Sequence, residues 1–287
     1  MEITGKSISQ YTEEQLSRVK ATCLSVAQTL GDMIQENAVI VGGLVPVLLY
    51  QDVIPAWEFG AHAGTRDIDL TLDLVILERD RYENVAECLR RSGFAPDFNE
   101  NGNITRQRWR AKNGAQVELL MPPVPPDTKG GRQQSLTQEL AVFTMSGLDL
   151  ALRTRLLVPL AGTDLEGRSV ERFVPVCPAE VFIILKALAI AGRDKPKDAY
   201  DMHYVLLHDA RGAQGVGEAV RQLLPHESVD AAMASLRRDY KEITGRGPRD
   251  VCSFLGQADN EALAGDALAF VLEFLRAAEA CGNRLND

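Results

Sequence analysis

The chain has 287 residues with a formal net charge of -9 at pH 7; 45% of them are hydrophobic and 25% charged. That is enough for one large domain or two ordinary ones, and no apolar run approaches the ~20 residues that cross a bilayer. The acidic balance argues against a general nucleic-acid binder, because phosphate contacts need Lys and Arg, so any such partner requires a local basic patch.

The N-terminal stretch MEITGKSISQYTEEQL is polar and carries no signal-peptide core, so the expectation is a cytoplasmic protein with no membrane partner. Leu16, Val19, Cys23, Val26 and Leu30 recur at spacings of three and four and predict an amphipathic helix over 11–36. The run Ala38–Val41 predicts a buried strand ended by Gly42-Gly43, and the apolar stretch to Tyr50 predicts a helix with Pro46 in its first turn. Residues 51–66 read as irregular, 67–77 as a strand and 79–91 as a helix. Residues 104–112 and 115–121 flank Asn113-Gly114, a strong hairpin signal. The segment 122–137, rich in Pro, Gly and polar residues, predicts a loop, and 149–160 with 168–176 a second strand pair around Glu166-Gly167. After Pro178 helical periodicity takes over, at 179–191, 197–209, 215–224, 227–240 and 261–279. The expected fold class is α+β: a small mixed β-sheet core with flanking helices over residues 1–177, then an α-helical C-terminal domain over 178–287. Cys23, Cys88, Cys177, Cys252 and Cys281 are scattered and odd in number, which reads as reduced thiols; with four dispersed histidines they give no zinc-ligand spacing.

Alternate residues of a strand share a face, so Asp67 and Asp69 point one way and Ile68 and Leu70 the other. Two carboxylates on one face repel unless a cation neutralises them. Magnesium takes oxygen ligands, usually one or two carboxylates plus substrate phosphates, and in phosphoryl transfer it neutralises charge and aligns the attacking oxygen. Gly42-Gly43 allows backbone amides close to triphosphate oxygens, and the start of the next helix favours anions. Glu118 alternates with Val117 and Leu119 on the far arm of the hairpin; a third carboxylate there completes a two-metal site or takes the proton of an acceptor hydroxyl. The alternatives are a solvated strand face, a plain turn and a surface glutamate. Asp73, farther along the same face, reads as solvated or structural.

Arg106, Arg108, Arg110 and Lys112 fall on one face of the predicted strand, and four like charges in a row repel unless an anion sits there. They suit a triphosphate or an acceptor backbone; the alternative is a solvated face that discourages edge pairing. Trp109 points the other way, toward the core. In the helical part, Lys186 could offer a point charge to a triphosphate. Lys197, Asp198 and Asp201 open the next helix, where Asp198 complements the helix dipole and Asp201, on the same face, could orient Lys186 or Arg193 by an ion pair.

Gly42, Gly43, Asp67, Asp69 and Glu118 together resemble the signature of the nucleotidyltransferase (polymerase β-like) superfamily: a glycine pair, a gap, an Asp-hydrophobic-Asp-hydrophobic strand and a later acidic strand residue. Within it, Gly64-Thr65-Arg66-Asp67-Ile68-Asp69-Leu70 and the stretch from Lys186 to Arg193, followed by Lys197-Asp198 and Asp201, look like the AbiEii/AbiGii toxin-type nucleotidyltransferases. The likeness covers residues 38–209. It implies Asp67, Asp69 and Glu118 as ligands of magnesium, for which manganese substitutes, and Lys186 as a further catalytic residue. It also implies Gly42, Gly43, Thr65, Arg66, Arg193, Asp198 and Asp201 around a nucleoside triphosphate such as ATP, GTP or CTP. The implied acceptor is an RNA such as tRNA, and the implied setting a toxin restrained by an antitoxin protein. A small-molecule transferase of the aminoglycoside type, or an inactive member that binds nucleotide or a partner, stays open as an alternative. The gap of residues 44–66 is longer than usual, and its insert 51–63 bears on the nucleotide entrance.

Overall fold

The computed structural model describes residues 6–53, 59–73, 79–99, 101–124 and 130–280. It divides into two compact units: Tyr11–Gln51 with Ala63–Pro178, and Met1–Gln10 with Asp52–His62 and Ala179–Asp287.

The first unit runs α1 (Glu13–Leu30), α2 (Asp32–Asn37), β1 (Ala38–Val41), a 3-10 turn (Gly42–Leu44), α3 (Val45–Leu49), β2 (Asp67–Leu72), α4 (Arg79–Arg91) and β3 (Ala95–Phe98). It continues with β4 (Ile104–Arg110), β5 (Gln116–Met121), β6 (Gly130–Ser135), β7 (Ala141–Met145), α5 (Leu148–Thr154), β8 (Leu156–Thr163) and β9 (Ser169–Val176). Among the described residues these nine strands form one mixed sheet, in the order β3-β4-β5-β2-β1-β9-β8, with β7 also on β5 and β6 on β7. The class is α+β, as the residue pattern predicts. Strand β2 is antiparallel to β1 and parallel to β5. Strand β4 covers Gln116–Glu118 of β5 and β7 covers Leu120–Met121, so the two share one edge of β5.

The registers sort the side chains. Ile40, Leu70 and Leu119 lie in one row across β1, β2 and β5, and Ile68, Val117 and Trp109 in another across β2, β5 and β4. All six are fully buried, which is the burial that holds the sheet together. Asp67, Asp69, Gln116, Glu118, Arg108 and Arg110 alternate with them and take the other face.

The second unit is mainly helical: α6 (Ala179–Gly192), α7 (Lys197–His208), α8 (Gly212–Arg221), α9 (Glu227–Asp239), α10 (Arg246–Phe254) and α11 (Glu261–Glu279). Helix α11 packs on α8 and α10, and α6 on α7 and α9. Among the described residues no helix is long and apolar enough to cross a membrane.

Several elements differ from the expectation. The first helix is two, because Gly31 takes φ 53° and ψ -134°, outside the helical region and open chiefly to glycine. Helix α1 starts in a capping box in which Thr12 Oγ1 accepts from the Gln15 amide and Gln15 Oε1 from the Thr12 amide. The strand expected over 149–160 is α5 followed by β8. Leu148, Leu150 and Leu152 imitate strand alternation, yet Ala151 between them is also buried and Asp149 pairs with Arg153 one turn on, both helical signatures. The expected loop 122–137 contains β6, a polar and mostly exposed strand held by its ladder to β7 rather than by apolar burial. Strands β3 and β7 and helix α10 are additional elements. Strand β2 ends at Leu72, the remainder of the expected strand, 74–77, lying outside the described residues together with 54–58 of the insert, 125–129 of the loop and Cys281. Cys23, Cys88 and Cys252 are free thiols.

Trp109 is among the largest fully buried side chains. Trp109→Ala is expected to cost about 3–5 kcal/mol through lost transfer energy and the cavity left behind. A urea midpoint within experimental error of the parent would contradict this placement of the core.

Candidate active site

Val41, the last residue of β1, pairs with Asp69 on β2. The chain then turns through Gly42 at φ 71°. A Cβ placed on Gly42 would overlap the Asp69 carboxylate. The backbone angle is one that L side chains rarely adopt, and a side chain there would also have to push the Asp69 carboxylate aside. The helix start expected to favour anions is short: after the 3-10 turn, α3 spans only Val45–Leu49, so few aligned peptide dipoles add up there.

Asp67 and Asp69 are both half-buried, as alternation requires. Thr65, buried just before β2, donates its hydroxyl to Asp67 Oδ1 at 2.7 Å, while Arg66 is exposed. Asp69 is the register partner of Glu118 across the parallel β2–β5 pair, and Glu118 that of Arg108 across β5–β4. Neighbouring strands lie about 4.8 Å apart, so Asp69 and Glu118 stand close on one face. Arg108 reaches Glu118 Oε1 at 3.3 Å. Among the described residues, no three His, Cys, Asp or Glu side chains are gathered as a ready-made metal cage; Thr65 and Arg108 draw on two of the carboxylates instead. Asp73 donates its backbone amide to Asn37 O at 2.7 Å, an anchor at the end of β2.

The basic row is compensated from within its own unit. Arg110 grips the buried Asp97 through Nε at 2.9 Å, and Gln116 Nε2 reaches the same carboxylate at 2.5 Å. Arg106 donates to Ser135 Oγ at 2.8 Å and to the carbonyls of Gln138 and Thr137 at 3.2 and 3.4 Å. Lys112 is not on the strand with the other three. Strand β4 ends at Arg110, and Lys112 sits in the hairpin turn, 3.4 Å from Glu166, because the Ala111–Ala115 hydrogen bond closes the hairpin before it.

The residues expected from the helical part belong to the second unit, where they form a buried ionic cluster. Lys186 on α6 lies between Asp198 Oδ1 at 2.8 Å and Asp201 Oδ2 at 2.7 Å. Arg193 binds Asp198 through Nε at 2.7 Å. Two members carried no assignment beforehand: Lys197, 2.5 Å from Asp201 Oδ1, and His62, whose Nε2 is 3.0 Å from the same oxygen. The four-residue step from Lys197 to Asp201 is a legible signal of a helical ion pair. Nothing near His62 in the chain signals it, although its ring stacks on Tyr200 and meets Tyr204 edge-on. Three cations face two carboxylates here, and only Arg193 has an exposed head, 49% accessible against 8% or less for the others.

A nucleotidyltransferase family model matches residues 23–237, most of the chain and all of the residues just described. The protein belongs to this nucleotidyltransferase family. Comparison with curated proteins finds no match. Membership makes the chain an enzyme, a transferase whose substrate is a nucleoside triphosphate.

The electrostatics of this transferase follow from desolvation set against pairing. Burial alone would lower the Lys186 pKa, but Asp198 and Asp201 outweigh it and hold the ammonium above its ordinary range. Burial would likewise raise Asp198, which Lys186 and Arg193 bring down to about 2 instead, and Asp201 is held well below the carboxylate range by Lys186 and Lys197. Lys197 falls to about 8, because burial and the repulsion of Lys186 exceed the pull of Asp201. Burial lowers His62 to about 4 despite its bond to Asp201, and lowers His203 to about 4 as well.

Two outcomes follow for the nucleotidyltransferase. Gly42→Ala should destabilise it by about 1–3 kcal/mol through backbone strain and collision. Combining it with Asp69→Ala, which removes the collision, should cost about 1 kcal/mol less than the sum of the two; strictly additive denaturation energies would show that the two residues do not exclude one another. His62 and His203 stay neutral in the folded chain down to about pH 4, whereas the unfolded chain protonates them from about 6.5. Their contribution to stability is complete above pH 6.5 and is lost as the pH falls toward 4, about 2 kcal/mol for each by pH 5. Urea midpoints that are equal at pH 7.5 and pH 5 would contradict their burial as neutral rings.

Proposed function

We propose that this nucleotidyltransferase uses Asp67, Asp69 and Glu118 to hold magnesium and moves a nucleotide from the triphosphate to an RNA acceptor such as tRNA, as the toxin of a toxin–antitoxin pair. The observation that carries the metal reading is the fit of Asp69 over Gly42, with Glu118 in register beside it. That arrangement sets two carboxylates side by side on one face, and such a pair suits magnesium, which is commonly held by one or two carboxylates with the remaining positions taken by phosphate and water. Bound there, the ion would offset the charge that builds on the transferring phosphate.

The chain's own residues do the rest. The Thr65 hydroxyl fixes the rotamer of Asp67. Gly42 lies directly against the Asp69 carboxylate, Gly43 is buried beside it, and exposed Arg66 precedes Asp67 in the chain. In the helical unit Arg193 is the exposed cation of the cluster and is held by Asp198, through Nε at 2.7 Å and a second nitrogen at 2.9 Å, which suits it to an anion there. The RNA acceptor is supported by Arg106, Arg108 and Arg110 sharing the sheet face with the carboxylates. The toxin role rests on the likeness of Gly64–Leu70 and of the Lys186–Asp201 stretch to the AbiEii/AbiGii type.

A second reading, a small-molecule acceptor, is favoured by the engagement of Arg106, Arg110 and Lys112 with acceptors of their own unit, which leaves less charge for a polyanion. Transfer of label from each of the four α-labelled nucleoside triphosphates to total RNA, with magnesium, separates the two. Label should appear on a tRNA-sized band with one preferred triphosphate and fall at least about a hundredfold in Asp69→Ala, whose thermal midpoint should be unchanged or raised because a like-charge repulsion is gone. An absence of labelled RNA with any triphosphate would overturn the RNA acceptor.

A further inference from the structure

We propose that Arg108 is an exchange residue, which neutralises Glu118 before a metal arrives and passes to the triphosphate once Glu118 takes the metal. The inference rests on the carboxylate reading of the site given above. Among the four basic side chains of the hairpin, three are anchored elsewhere. Arg110 holds the buried Asp97 through two contacts, at 2.9 and 2.8 Å. Arg106 is tied to a hydroxyl and two backbone carbonyls. Lys112 sits off the strand, on Glu166.

Among the described residues the Arg108 guanidinium meets one acceptor, Glu118 Oε1, and the 3.3 Å contact is long for a charge-assisted hydrogen bond, which ordinarily measures about 2.7–2.9 Å. That partner is the register neighbour of Asp69. A divalent cation held by Asp69 and Glu118 would compete for the same carboxylate and repel the guanidinium. The planar, permanently charged fork of Arg108 is then left beside the ion, suited to the phosphate oxygens that accompany it. The arrangement therefore couples two affinities with opposite signs: Arg108 opposes the metal alone and favours the metal with its triphosphate.

The test uses the full chain and two probes, Mn2+ followed by electron paramagnetic resonance of the free ion, and inorganic triphosphate titrated at saturating Mn2+. Arg108→Gln should bind Mn2+ alone about threefold to tenfold more tightly and inorganic triphosphate about tenfold more weakly, the scale of one partly exposed charge-assisted contact. Lys112→Gln, which removes the same charge from the turn, should shift neither by more than about twofold. If Glu118→Gln weakens Mn2+ while Arg108→Gln leaves it unchanged or weaker, the exchange is overturned and the carboxylate site stands. Equal tightening in Arg108→Gln and Lys112→Gln would reduce the effect to the general field and overturn it too. If neither Asp69→Asn nor Glu118→Gln changes Mn2+ affinity, the carboxylate reading falls and the exchange falls with it.

Discussion

Asp69 occupies the space that a side chain on residue 42 would need, and this exclusion ties the turn after β1 to the acidic face of β2. The tie is set by register. Val41 opposite Asp69 brings the turn under the carboxylate, and Asp69 opposite Glu118 brings the third acid alongside. Because side chains alternate with a period of two, a slip of one residue in β2 would turn Ile68 and Leu70 to the site and both aspartates into the core. The fully buried Ile68 and Leu70 resist that slip, so the apolar face of the strand holds the chemical face in place.

On the polar face, acids and bases are laid out in rows across the strands. Asp69, Glu118 and Arg108 form one, and Asp67, Gln116 and Arg110 the next, with Asp97 closing on Gln116 and Arg110. Each cation softens the repulsion between carboxylates at the expense of charge available to an outside anion. An acidic protein can in this way carry a strip of arginines whose charge is largely compensated within its own unit.

The helical unit handles charge differently. Its ions are withdrawn from water, where each must be compensated almost completely. Lys186 between two aspartates, and Asp201 among Lys186, Lys197 and His62, meet that demand. Such networks add little net stability compared with an apolar core, but losing one partner strands a buried charge and costs about 3–5 kcal/mol. Within this cluster the exposed head is that of Arg193.

Local patterns determined much of this protein in advance. The alternation of Asp67 to Leu70 assigned both faces of β2, Asn113-Gly114 located the hairpin, and the helical periodicity after Pro178 marked the helical part. In these cases the signal lies within a few residues and comes from backbone geometry. Where a local pattern served two structures equally, it misled: the leucines of α5 read as a strand until packing decided, and polar β6 has no burial signal at all because its ladder to β7 holds it. Only the tertiary structure decided that Glu118 meets Arg108, that Arg106 and Arg110 are already engaged, and that His62 joins Asp201 across 139 positions of the chain. Those outcomes depend on which distant segments share a register or a core, and the energy that selects them comes from burial and charge compensation between residues that no short window contains.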